Sequence, residues 1–376
     1  MLMSELRSGY TTGSCAAAGV KACLEALLNN NLYENIEFTT LNGISLNIPI
    51  FRLKIINNRH ATCAITKFSG DDPDVTNGIQ ICSQIKIVDK LPKIDRGIYF
   101  NNFVLVGGRG VGLVTKNGLQ VPIGKSAINP GPQKMIKEVA DDMLEQAGKK
   151  AVITIFVPEG IVKSKKTFNP KLGIQRGISI LGSTGIVKPM SEDALKDSMF
   201  VELKVLRMAK DRDWVIFTFG NYSKDYCEKL GLDQEQTIVI SNYAGFMIDS
   251  AVKLGFKKIL FLGHIGKAIK IAGGIFNTHS RVADARVEIM AANAFICGEK
   301  SETIHKILNS NTVEEACEFI ENKDFFKTIA NKVKKRVEEY SRDEIECEVL
   351  LFSFKGATLG YTDNFYKMAG EFTEKN

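Results

Sequence analysis

The sequence predicts a two-domain α/β protein, with an N-terminal mixed-sheet α+β domain followed by a C-terminal Rossmann-like domain built on a parallel sheet. Three observations predict it. The chain has 376 residues, and roughly 100–200 residues per domain gives two domains. Its first half carries short strand-like runs with helices interspersed, whereas its second half alternates strand and helix at the spacing of βαβ units. Between them, residues 158–176 are rich in Lys, Pro, Gly and Asn and read as a connector. The boundary is therefore drawn between residues 1–170 and 171–376.

The elements follow in order. Residues 14–29 read as a helix, with Thr12, Gly13 and Ser14 supplying cap chemistry before the run Ala16-Ala17-Ala18. Strands are expected over 36–39, 44–50, 53–57 and 61–67, with Asn42-Gly43 as a hairpin signal, and again over 85–88 and 103–106. Pro130 and Pro132 precede a helix expected from 133 to 146, and a strand over 151–157 follows. Past the connector, the apolar run at 178–181 is expected to open the parallel sheet. A helix over 191–209 leads to strands at 214–219, 237–240 and 258–262. Residues 281–340 read as helical, and 346–354 as a last strand.

Composition narrows the function classes. With 44% hydrophobic and 24% charged residues the chain is of ordinary globular type. The first residues show no apolar signal core, and no run approaches the ~18 apolar residues of a membrane span. The eight Cys include no C-x-x-C pair and no zinc-like spacing with His, so they read as reduced thiols of a soluble cytoplasmic protein, with no protein metal site. A net charge of +6 is mild. It suits an anionic small substrate, and no basic–aromatic module points to nucleic acid.

Five segments dense in Gly, Thr, Asn and Asp stand out, because such residues make irregular backbone and offer donors at low steric cost. Around Thr11 and Thr12, hydroxyls and amide groups gather at a helix start, which suits an anion or equally a plain cap. The acidic turn holding Asp71, Asp72 and Asp74 would supply a base, hold a cation, or be a solvated turn. Gly107-Gly108-Arg109-Gly110-Val111-Gly112 would approach an anion closely, or form a Gly-rich bulge; its spacing is not that of a dinucleotide loop. Gly182, Ser183, Thr184 and Gly185 follow the expected first parallel strand, where open α/β sheets bind ligands. Gly220 and Asn221 end the next strand, without a carboxylate for a ribose. Gly263, His264, Gly266 and Lys267 end another, with His279 and Asp284 further on. Two His near a lysine and a carboxylate suit proton transfer, although a His at a strand end is commonly structural.

Taken in this order, the segments resemble the cobalt-precorrin-5B C(1)-methyltransferases of the anaerobic cobalamin pathway. The resemblance is carried by Arg7-Ser8-Gly9-Tyr10-Thr11-Thr12-Gly13-Ser14-Cys15-Ala16-Ala17-Ala18, Asp71-Asp72-Pro73-Asp74-Val75-Thr76, the stretch 107–115, and Ala127-Ile128-Asn129-Pro130. It continues through Asn169-Pro170-Lys171-Leu172-Gly173-Ile174, the stretch 177–189, and 263–267 through Asn277-Thr278-His279. It spans roughly residues 7–290. Arg176-Gly177 and Ser183 depart mildly from the family pattern.

The resemblance implies S-adenosylmethionine as methyl donor and a cobalt-containing macrocycle rich in acetate and propionate as substrate, methylated at C-1 to give cobalt-precorrin-6A. The cobalt enters only within that substrate. The chemistry assigns donor contacts to Gly182, Ser183, Thr184, Gly185, Gly220, Asn221, Gly263 and Gly266 of the C-terminal domain. Ring carboxylates fall to Thr11, Thr12, Arg109 and Lys267, with Arg7 and Lys125 near in sequence. Candidate bases are His264 first, then His279, Asp71 and Asp72. Two other functions stay open: a phosphoryl-transfer enzyme using the Gly-rich loop, and a non-enzymatic tetrapyrrole carrier. A homo-oligomer is an open possibility.

Overall fold

The computed structural model describes residues 6–209, 212–220 and 222–373, with backbone alone at 222–225. It is a mixed α/β structure of two compact units, Met1–Glu192 and Asp193–Asn376.

The first unit is built on a six-stranded sheet. Its order is Arg52–Asn57, His60–Thr66, Gln80–Val88, Lys150–Phe156, Phe103–Gly107, Ile98–Tyr99. Lys150–Phe156 runs parallel to Phe103–Gly107; the other neighbours are antiparallel. Helices Thr12–Leu28 and Pro130–Gln146 share the core with one face of this sheet. Ala16, Ala17, Ala18 and Val20 meet Ile65, Ile81, Ile85 and Ile153, with Met135 and Ile136 from the second helix. Small side chains let the first helix come close: a Cβ on Gly19 would lie 2.8 Å from Ser83 Oγ, and that hydroxyl donates to Ala16 O at 3.0 Å. The second helix starts at Pro130 rather than after Pro132. Proline suits the first helical turn, where its missing N–H costs nothing.

The run at 178–181 does not open the parallel sheet. Gly177–Ile178 pairs with Gly110–Val111, Ile174–Gln175 with Leu113–Val114, and Ile186–Val187 with Gly9–Tyr10. These pairings hold residues 171–192 in the first unit, so the division falls later than the 170/171 boundary.

The second unit carries a five-stranded sheet in the order Thr237–Val239, Trp214–Thr218, Lys258–His264, Glu346–Phe352, Thr358–Tyr361. Four strands are parallel and the last is antiparallel, so the sheet is mixed where an all-parallel one was expected. Both faces are covered. Val215, Phe217, Ile259, Phe261 and Val349 pack with Leu203, Met247, Ile269 and Val333 on one side. The alternate residues Ile216, Leu260, Leu262 and Leu350 pack with Phe365, Met368 and Phe372 on the other. Strands buried on both faces read as continuous apolar runs, as these do. The chain goes from Trp214–Thr218 to one neighbour and then crosses to the other, Lys258–His264. That reversal is where open α/β sheets receive ligands, at the carboxyl ends.

Candidate functional site

The structure gathers the predicted residues into two groups, one in each unit. In the first unit, the start of helix Thr12–Leu28 is clasped by the loop after Ile180. Thr11 N donates to Gly185 O at 3.1 Å and Gly13 N to Leu181 O at 2.8 Å. Ser14 N donates to Thr11 Oγ1 at 3.2 Å, and Ser14 Oγ to Gly185 O at 2.7 Å. Thr12 Oγ1 accepts from Leu181 N at 2.8 Å and faces Leu181 O at 3.3 Å. The Thr11 and Gly13 amides thus bind the protein's own carbonyls and the Ser14 amide the Thr11 hydroxyl, so this helix start is clasped by the chain itself. Gly182 lies at φ +134, and a Cβ there would stand 2.2 Å from Thr11 Oγ1. Ser183 and Thr184, by contrast, are exposed.

Arg109 is exposed beside the Gly-rich segment. That segment is a crossing of backbones. Gly110 is at φ +80, and a Cβ there would lie 1.8 Å from Val157 O; added at Gly160 or Gly177, it would lie 2.1 or 2.2 Å from Gly110 O. The glycines serve this crossing, and the space a phosphate would need is filled by protein.

The acidic turn is likewise engaged. Arg7 donates its backbone N–H to Asp71 Oδ2 at 2.7 Å and its guanidinium to Oδ1 at 2.8 and 3.1 Å. These bonds hold the Asp71 carboxyl below its usual range, which makes it a poorer base. Asp72 Oδ1 accepts from Met190 N at 3.0 Å. Asp74 meets Lys67 Nζ at 2.5 Å and accepts from Thr76 N and Oγ1, each at 2.7 Å. Burial pushes Asp74 up, but Lys67 and the Thr76 bonds carry it net below its usual value. Lys67, 3% exposed, has no local sequence signal. Lys125 donates to Gly97 O at 3.0 Å.

In the second unit, Gly220, Gly263, His264, Gly266 and Lys267 meet at the strand ends beside the reversal; Asn221 lies outside the described residues. His264 is the N-cap of helix Ile265–Ala272. Its Nδ1 accepts from Gly266 N at 3.1 Å and its Nε2 lies 2.9 Å from Glu314 Oε1. Burial lowers its proton affinity, Glu314 opposes this and Lys267 adds to it, and the net direction is down. The accepting nitrogen Nδ1 is taken by the Gly266 N–H, which favours a capping role for His264, while Nε2 is buried near Glu314 without a hydrogen bond to it. Glu314, far along the chain, gave no sequence signal.

His279 is also turned inward on its loop: its Nδ1 accepts from Arg281 N at 3.1 Å. Lys267 Nζ donates to Ser241 O at 3.3 Å, beyond the end of Thr237–Val239 two strands along the sheet, and stands 5.7 Å from the Phe219 ring centroid. Asp284 is held by Arg286 at 2.6 and 2.8 Å.

A surface concavity of about 590 Å³, lined by residues including Leu32, Tyr33 and Phe51, holds none of the predicted residues. Among the described residues no helix is long and apolar enough to cross a membrane, and no cluster of three or more His, Cys, Asp or Glu has a metal-holding arrangement.

Fold and site define an α/β protein with polar and basic side chains collected at the carboxyl ends of a largely parallel sheet, a class that takes small ligands there. The CbiD family model matches residues 2–189, and the CbiD C-terminal domain matches residues 277–363. The chain belongs to the CbiD family. A cobalt-precorrin-5B C(1)-methyltransferase from Fusobacterium nucleatum is 60% identical over 98% of both chains. One from Thermoanaerobacter sp. is 45% identical over 93% of this chain and 94% of its own. A 1.9 Å crystal structure of a cobalamin biosynthesis protein from Archaeoglobus fulgidus is 26% identical, with a TM-score of 0.39 over 75% of this chain and 84% of that one.

Proposed function

We propose that this chain is a C-methyltransferase that methylates cobalt-precorrin-5B at C-1, giving cobalt-precorrin-6A, with S-adenosylmethionine as donor. The observation that carries the reading is the match to a methyltransferase of that name at 60% identity across 98% of each chain. The phosphoryl-transfer alternative lacks its parts: the Gly-rich segment is packed with backbone, and Asp71 and Asp74 already face Arg7 and Lys67.

The donor supplies an electrophilic methyl on a sulfonium, so the protein need not provide a nucleophile. Its task is to position ligands and keep water out. The strand ends of the second unit fit the donor. Among the described residues no heavy atom stands within 4 Å of a Cβ built on Gly220, so the backbone there is uncrowded. Gly220, Gly263 and Gly266, with Asn221, are proposed to hold it. The first unit is proposed to take the ring, with the exposed Arg109 as a carboxylate partner and the exposed Ser183 as a hydroxyl donor, whereas the Thr184 hydroxyl donates to Ile186 O at 3.2 Å. With Asp71 and the accepting nitrogens of His264 and His279 engaged, Asp72, which accepts the Met190 N–H on Oδ1, is the candidate to accept a released proton.

Isothermal titration of the purified chain with S-adenosylhomocysteine, against ATP–magnesium, tests this reading. It expects S-adenosylhomocysteine to bind and ATP not to. ATP binding alone would overturn it, and corrinoid binding without donor affinity would point to a carrier.

A further inference from the structure

The strand ends of the second unit hold more positive charge than their surroundings neutralise. Lys270 is 2% exposed, and its Nζ donates to Thr278 O at 3.1 Å and Ala283 O at 2.7 Å. Its nearest carboxylate, Asp284, is 3.9 Å away and is already gripped by Arg286. Lys267, one turn earlier, is half-buried and has no carboxylate within 4 Å among the described residues. Its ammonium has one carbonyl, Ser241 O at 3.3 Å, and the Phe219 ring. Ser241 itself sits in left-handed backbone at φ 52, a conformation non-glycine residues adopt rarely. Burial and the charge of Lys270 both lower the proton affinity of Lys267. A desolvated cation without a counter-charge is costly, and a bound anion relieves it.

We propose that Lys267 anchors the carboxylate of the methyl donor's methionine portion at the reversal between Trp214–Thr218 and Lys258–His264. This deepens the reading above and rests on it. Three features converge on that assignment. Lys267 lies where open sheets receive ligands. It spans from its own helix, past the intervening Trp214–Thr218 strand, to Ser241 after Thr237–Val239, and among the described residues nothing crowds a Cβ at Gly220, after the end of that intervening strand. Ring carboxylates of the corrinoid share the same chemistry, so the experiment separates the two sources.

Wild type, Lys267→Met and Lys267→Arg are titrated with S-adenosylhomocysteine and with 5′-methylthioadenosine, which keeps the nucleoside and thioether but lacks the amino-acid portion. Lys267→Met is expected to weaken S-adenosylhomocysteine binding by about tenfold or more while leaving methylthioadenosine within about twofold, and Lys267→Arg to recover most of the loss. Equal loss of both ligands, or S-adenosylhomocysteine binding unchanged in Lys267→Met, overturns the anchor while the donor reading stands. A raised KM for cobalt-precorrin-5B with donor affinity intact assigns Lys267 to the ring and also overturns it. Wild type that binds neither nucleoside removes the donor reading, and the anchor with it.

Discussion

His264 accepts the Gly266 N–H on Nδ1 at 3.1 Å while its Nε2 stands 2.9 Å from Glu314 Oε1. With its accepting nitrogen taken by a backbone amide, the ring ties a strand end to a helix start and is poorly placed to take a proton from a ligand. His264→Asn, which can still cap, is expected to keep kcat within about threefold of wild type, whereas losing a general base costs about 10²–10⁴-fold. His264→Ala is expected to lose about 1–2 kcal/mol of stability, read by denaturant unfolding. The pH dependence has a definite sign. Burial depresses the folded-state value below the ordinary value of about 6.5, so the unfolded chain binds the proton more readily. The contribution is present above about 6.5 and is lost as pH falls through the folded value. Replacing His264 should flatten that part of the stability curve.

Lys67 and Asp74 form a deeply set ion pair in the first unit, with Lys67 2% exposed along its side chain. Removing one partner leaves a buried charge alone. Asp74→Asn is expected to cost about 3–5 kcal/mol, and Lys67→Met with Asp74→Leu together to cost less than the sum of the single changes. A double-mutant cycle by urea unfolding measures this. Asp74 lies below its ordinary value, so its contribution is present above about 3.9 and is lost as pH falls through the folded value.

Gly110 and Gly43 both have positive φ, at +80 and +76, but differ in what surrounds them. Beside Gly43 nothing lies within 4 Å, whereas Gly110 faces Val157 O. Gly43→Ala is expected to cost about 1 kcal/mol from backbone strain alone. Gly110→Ala should cost about 3 kcal/mol or more, because backbone must move. Thermal melts of the two variants compare the costs.

Arg109 is exposed and outside the packed core. Arg109→Ala is expected to leave stability within about 0.5 kcal/mol and to weaken corrinoid binding by about tenfold if it meets a ring carboxylate. Unchanged corrinoid affinity would remove Arg109 from the site.

Local chemistry made much of the fold legible in the sequence. Thr12, Gly13 and Ser14 announce a helix from about residue 14, which the structure starts at Thr12 with Thr11 as its cap, and Asn42-Gly43 marks the hairpin between Asn35–Thr39 and Ser45–Pro49. The apolar run Ile178-Ser179-Ile180-Leu181 misled, because a short buried run does not say which sheet it joins. Ser179 turns to buried Asn169, and Ile180 bridges only to Ile128. Thr358–Tyr361 passed unseen as a four-residue edge strand broken by Gly360. At the site, strand-end glycines and lysines were visible, but which side chains were already taken was not. The partners of Asp71 and His264 lie 64 residues away at Arg7 and on a separate helix at Glu314. No local pattern encodes such pairs.

The most direct measurement incubates the purified chain with cobalt-precorrin-5B and S-adenosylmethionine carrying a labelled methyl group, and follows the corrinoid by mass spectrometry and NMR. Methyl transfer to the corrinoid is expected to add one labelled methyl at C-1, with S-adenosylhomocysteine formed in equal amount. A corrinoid that binds the protein yet returns unmethylated, with the donor unconsumed, would contradict it.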